Sequence, residues 1–275
     1  MKNKWIILLA LIMVFTMLAT ACSKPTTEAT TAAVATPTVL KVGLDDTYKP
    51  MEFIDENDKL AGFDIDMANA LSKEIGMDIE FISSDWDGIF LALDSGKFDA
   101  VISSVSMTLE RTNKMEFTKP YLANGQLIVT NPADADKVNT KEDLKNMAVG
   151  VQMGTTSDTA LTKFVADNPD FNIEVSRYDD INQTFADLKT GRLNSIVVDG
   201  MVAIDYAKND PTSFKVSTVN LSNEPIAIAV KKGNTELTQK LQAGLDALKA
   251  NGTLAEISVK WFGADYTSNI DETLN

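Results

Sequence analysis

The chain has 275 residues, of which 25 are basic and 39 acidic, with no histidine, one cysteine and a formal charge of −14. Such an acidic surplus excludes nucleic acid and anionic lipid as natural partners. Without histidine, serine and thiol hydrolysis and zinc binding lose their usual parts, and a single cysteine excludes an internal disulfide. No phosphate loop of the P-loop type appears, so neither cofactor nor metal is expected.

The N-terminus reads Met1-Lys-Asn-Lys4, then an apolar run from Trp5 to Leu18, then small residues to Cys22. A membrane span needs roughly 20 apolar residues, so residues 1–21 read as a signal peptide. The small residues before Cys22 resemble a lipobox, with Ala19 where leucine is usual and Leu18 one place further back, which makes Cys22 the lipid anchor. Removing the two lysines ahead of it takes the charge from −14 to −16. Residues 22–38 lack periodicity and large apolar groups and are expected to form a disordered tether, reaching on the order of 20 Å.

From Val39 the pattern alternates between strand and helix. Strands are expected over 39–44, 79–82, 100–104, 127–130, 148–151, 173–178, 195–199 and 225–230. Helices are expected over 64–75, 86–94, 141–147, 157–167, 184–190 and 234–251, and a capping box Thr253-Leu-Ala-Glu256 opens a last one through Trp261. This alternation predicts an α/β protein with parallel sheets covered by helices. Residues 93–104 align without gaps on 188–199, each running helix, glycine, basic residue, apolar residue, strand. If the repeat marks two lobes rather than convergent units of one sheet, Ser104 and Asp199 are corresponding strand ends, where ligands of open sheets bind.

Ser103-Ser-Val-Ser-Met-Thr-Leu-Glu-Arg111 ends a strand in hydroxyls and delivers an arginine, whose planar fork matches a carboxylate. Three segments stand in fixed order around it: Gly43-Leu-Asp-Asp-Thr-Tyr-Lys-Pro-Met-Glu-Phe53, Gly62-Phe-Asp-Ile-Asp-Met-Ala68 and Phe117-Thr-Lys-Pro-Tyr121. Together, from Val39 to about Gly263, they resemble the extracellular solute-binding proteins of family 3, the polar amino acid receptors of ABC importers.

That resemblance implies a type II periplasmic-binding-protein-like fold, two α/β lobes joined by a two-strand hinge. Lobe 1 would span 39–123 and 222–264, lobe 2 would span 124–221, and 265–275 would form a C-terminal tail. The chain would cross between lobes near Leu122–Gly125 and Leu221–Pro225. It also implies a division of labour. Arg111 takes the ligand carboxylate with Ser106 and the Thr156 N–H, while Asp199 and the Ser104 carbonyl take the ammonium. Asp45, Tyr48, Trp86 and Gln152 select the side chain, which favours a cationic or polar amino acid. Asp46 stands beside Asp45 as a second acid; Asp64 and Asp66 either deepen the negative potential or, for Asp64, cap a helix. The expected protein is a monomeric receptor on the outer face of the cytoplasmic membrane, serving the transmembrane subunits of an ABC permease. A dehydratase on the same scaffold and a sensor ectodomain are the alternatives.

Overall fold

A computed structural model describes residues 39–138, 140–218 and 220–274. The signal peptide, the tether and Cys22 lie outside the described residues.

Two five-stranded sheets form the centres of two lobes. The first has the order β5-β1-β6-β13-β7, with β1 (Val39–Leu44), β5 (Asp78–Ser83), β6 (Ala100–Val101), β7 (Met115–Phe117) and β13 (Ala229–Lys231). The second has the order β10-β9-β11-β8-β12, with β8 (Gln126–Thr130), β9 (Ala148–Gln152), β10 (Glu174–Tyr178), β11 (Ser195–Asp199) and β12 (Lys215–Val216). In both sheets the first three strands run parallel and the last two pair antiparallel. The repeat therefore falls on equivalent places: β6 and β11 are each third in their sheet. A small three-stranded sheet of β2 (Thr47–Tyr48), β3 (Glu52–Ile54) and β4 (Leu60–Ala61) adds to the first lobe.

Helices α1 (Phe63–Ile75), α2 (Trp86–Ser95), α3 (Leu109–Lys114), α7 (Thr235–Ala250) and α8 (Thr253–Phe262) belong to the first lobe, and α4 (Thr156–Asp167), α5 (Ile181–Lys189) and α6 (Gly200–Asn209) to the second. All but the short α3 bury an apolar face; Phe63, Met67 and Leu71 do so on α1, and Ile181, Phe185 and Leu188 on α5.

Four elements differ from the sequence expectation. The helix over 141–147 is a single 3-10 turn, Lys141–Leu144, because Lys145 is extended and Asn146 turns left-handed at φ 62°. The capping box at Thr253 does not form: Gly252, at φ 83°, occupies the cap and Thr253 is already helical. The strand over 100–104 ends at Val101, since Ser104 at φ 48° swings the chain out of the sheet. The strand over 225–230 reduces to Ala229–Lys231, with Ile226 bridged to both Ser106 and Leu122. Helix α6 and the small sheet carry no periodic signal long enough to announce them.

The two crossings run side by side. Ile226 N–H donates to Leu122 O at 2.9 Å, Glu224 N–H to Asn124 O at 3.0 Å and Leu221 N–H to Gln126 O at 2.8 Å. Gly125 is needed there, for a Cβ would lie 2.3 Å from the Ser222 carbonyl oxygen. The C-terminal segment packs onto this hinge: Tyr266 O accepts from Ala123 N–H, and Asn223 Nδ2 donates to the carbonyls of Asp271 and Thr273.

Candidate functional site

Tyr48, Trp86, Ser103, Ser104, Ser106, Arg111, Gln152, Thr155, Thr156 and Asp199 enclose a small pocket between the lobes. A larger cleft beyond Arg111 opens to solvent and is walled by Lys114, Lys163, Lys231 and Lys232; the convergent polar groups lie in the enclosed pocket instead.

Arg111 sits at the third position of α3, which starts because the Thr108 hydroxyl accepts from the Arg111 N–H. Its guanidinium lies 4.9 Å over the Phe90 ring and 5.5 Å from Trp86, a cation–π seat that leaves its edge free. Nη1 donates to the Ser106 carbonyl at 3.0 Å, and among the described residues no carboxylate forms an ion pair with it. Burial draws its pKa down while Glu224 and Asp199 push it back up. Opposite stands Thr156, first residue of α4, whose backbone N–H has no acceptor within its own helix. A carboxylate between the two meets a fork and a helix N-terminus.

Asp199 ends β11 at 6% exposure and precedes α6 without capping it. One of its oxygens, Oδ1, accepts from Gln126 Nε2 at 2.6 Å. Burial, then the Glu224 charge, push its carboxyl up to about 6, with the Asn124, Tyr48 and Gln126 side chains opposing. Neither polar atom of the Asn124 amide makes an aligned hydrogen bond. A buried carboxylate with spare acceptor capacity and a raised pKa is stabilised by an incoming cation. The Tyr48 hydroxyl beside it is pushed well up by burial and then by Asp199, so it is a neutral donor.

Eight of the nine residues proposed from sequence line the enclosed pocket. Asp45 is the exception and stands behind Gln152. Its Oδ1 accepts from Thr47 N–H and Oγ1, and its Oδ2 from Gln152 Nε2 at 2.8 Å, a bond between lobes. Gln152 Nε2 also reaches the Asp179 carbonyl at 3.2 Å. Both amide hydrogens are thus spent. Burial raises the Asp45 carboxyl, and the Thr47 and Gln152 bonds oppose it. The buried Trp86 Nε1 has no acceptor among the described residues.

Two of the acids considered from sequence play other parts. Asp66 turns away to Lys260 Nζ at 2.6 Å and Trp261 Nε1 at 2.7 Å. Asp64 does not cap α1; it lies inside the helix, fully buried, and accepts from Ser104 N–H at 2.7 Å and the Tyr121 hydroxyl at 2.8 Å. Sequence reading missed Gln126 and Glu224. Gln126 Nε2 also lies within hydrogen-bonding distance of Thr156 Oγ1 and Glu224 Oε2, sharing its two hydrogens among three acceptors, and its Oε1 accepts from the Ser157 hydroxyl. It therefore ties both ends of the pocket to the hinge.

A family model described as bacterial extracellular solute-binding proteins, family 3, matches residues 40–264. The L-cystine-binding protein TcyJ of Escherichia coli (strain K12) is 33% identical over 228 residues, 83% of this chain and 84% of that protein. The solved structure of an ancestral arginine-binding protein bound to arginine is 42% identical with a TM-score of 0.77, covering 82% of this chain and 98% of that one. A second, of the ancestral amino acid-binding protein AncCDT-1, a precursor of cyclohexadienyl dehydratase, is 38% identical with a TM-score of 0.75, covering 82% and 95%.

Proposed function

The chain belongs to the bacterial extracellular solute-binding proteins of family 3, and from that premise we propose that it captures a cationic amino acid, with L-arginine the best fit. The observation that carries this is Gln152. Asp45 and the Asp179 carbonyl hold both its amide hydrogens, so the far end of the pocket presents an acceptor backed by a buried carboxylate. A side chain that donates is favoured there, and a carboxylate tail is rejected. The charge balance points the same way: Asp199 and Glu224 act on a single Arg111 and Asp45 stands behind Gln152, so a zwitterion leaves negative charge for a second cation. Tyr48 and Trp86 supply flat faces for a guanidinium or its aliphatic stem.

In this reading Arg111, Ser106 and the Thr156 N–H hold the α-carboxylate, and Asp199 with the Ser104 carbonyl holds the α-ammonium. Contacts come from both lobes, so the ligand favours closure by the difference in contacts it makes, and a permease receives the closed form. Cys22 carries the lipid that keeps the receptor on the outer face of the cytoplasmic membrane. The protein is a receptor rather than an enzyme: a dehydratase calls for a lone buried acid with no ammonium to pair, whereas Asp199 is bonded to Gln126 and placed for an ammonium group. A thermal-shift panel on protein starting at Thr38 tests this with arginine, lysine, glutamine, cystine and glutamate. Arginine at 100 times its Kd should stabilise by about 2.7 kcal/mol; a larger shift with glutamate would refute the assignment.

A further inference from the structure

The motifs around Met51-Glu-Phe53 and Gly62-Phe-Asp64 contain two acids that touch no ligand position. Glu52, on β3, and Asp64, on α1, are both fully buried. Their carboxyl groups are held by adjacent residues, Ser103 and Ser104, and among the described residues neither forms an ion pair. Asp64 is well supplied: Ser104 N–H donates to one oxygen and the Tyr121 hydroxyl to the other. Glu52 is not. Ser103 Oγ donates to Oε1 at 2.7 Å, but Oε2 has no protein donor. A bare carboxylate oxygen in a dry core costs several kcal/mol, and two adjacent anions there cost more. A proton on Glu52 Oε2, donated to Asp64, removes both penalties.

The pair stands directly beneath the ligand pocket. Asp64 fixes the backbone of Ser104 in its left-handed conformation at φ 48°. Glu52 fixes the Ser103 hydroxyl, which accepts from Asp45 N–H at 3.0 Å and so anchors the loop that carries Asp45. We propose that Glu52 and Asp64 hold one proton between them and serve as the positioning pair of the ligand site, setting the Ser103–Ser104 strand end and the Asp45 backbone. Its ligand-binding arm rests on the function proposed above; the proton itself does not.

The surroundings agree. The groups that act on the pair are Asp45 from the loop after β1, Tyr48 from β2 and Tyr121 from the first crossing, none of them cationic. Burial and then Asp64 push Glu52 well up, whereas Asp64, eased by its two donors, reaches about 6. Both shifts favour a proton on the pair, on Glu52 before Asp64. An acid whose folded pKa is raised contributes stability that is complete below its unfolded pKa and is lost as pH rises through the folded one. Alkaline pH should thus cost the wild type stability.

Difference infrared spectra between wild type and Glu52→Gln at pH 7 should show the carbonyl stretch of a protonated carboxylic acid in the wild type only. Glu52→Gln keeps both hydrogen bonds without a titrating proton, so its Tm should fall less between pH 7 and pH 10. With L-arginine as probe, Glu52→Leu should weaken binding about tenfold or more, and Glu52→Gln should recover most of that loss. If Glu52→Leu does not fold, Ser103→Ala carries this arm, with a loss of several fold. Absence of the protonated band overturns the shared proton, and unchanged binding in Glu52→Leu or Ser103→Ala overturns the positioning role. Failure of the arginine reading would look different: wild type would not bind arginine while the infrared and Tm results stood.

Discussion

Asp199→Asn should nearly abolish arginine binding, and the wild type should show why in its pH profile. The aspartate is 6% exposed, has one bond to Gln126 at 2.6 Å, and lies close to Glu224. Replacing it with an amide leaves the ligand ammonium buried without a counter-charge. Losing one member of a buried charge pair costs about 3–5 kcal/mol, which is two to four decades in Kd. The carboxyl is held at about 6 by burial and by Glu224. An ammonium favours the ionised form, so binding lowers that pKa and releases a proton, and affinity declines as pH falls through 6. Roughly nine-tenths of the group is protonated at pH 5, so the wild-type Kd should rise about tenfold between pH 7 and pH 5. Isothermal titration with L-arginine at both pH values, in two buffers of different ionisation enthalpy, measures the affinity and the released proton together. Asp64, also near 6, lies outside the pocket and is common to both proteins, so any pH dependence left in Asp199→Asn is its share. A wild-type Kd equal at both pH values, or an Asp199→Asn Kd within threefold of wild type, would refute the reasoning.

Arg111→Ala should weaken arginine binding at least about 100-fold with an unchanged circular dichroism spectrum, since among the described residues no other cation lines the enclosed pocket. Gln152→Leu removes the far-end acceptor and strips Asp45 of a donor; calorimetry should show a loss of about 10- to 100-fold, and wild-type affinity would mean the side chain points elsewhere. Gly62→Ala should lower Tm by at least about 4 °C, because φ is 139° and the new Cβ would lie 2.0 Å from the Met51 carbonyl oxygen. Cys22→Ser should move the protein from the membrane fraction to the soluble one, as read by fractionation and immunoblot; retention on the membrane would remove the lipid anchor.

What the sequence determined by itself was local or periodic. Helices α1 and α2 were legible because apolar spacing and the following Gly76 and Gly96 are short-range signals, and those glycines do end them in left-handed turns. The arginine at the start of α3 and the carboxylate at the end of β11 could be read as chemistry near strand ends, and the repeat paired Asp199 with Ser104. The aborted helix after Thr140 and the unformed box at Thr253 mark the limit even of local reading, since Asn146 and Gly252 took left-handed backbone that a periodicity count does not register. The tertiary structure alone decided what the acids do. Asp64 looks like a helix cap in sequence, yet its partners Ser104 and Tyr121 are 40 and 57 residues away. Gln126 meets Asp199 and Glu224 across 73 and 98 residues, and Asp45 meets Gln152 across 107. The role of a buried polar group is set by which donors and charges surround it after water is excluded. Those neighbours are brought together by sheet order and by the two crossings, not by sequence spacing.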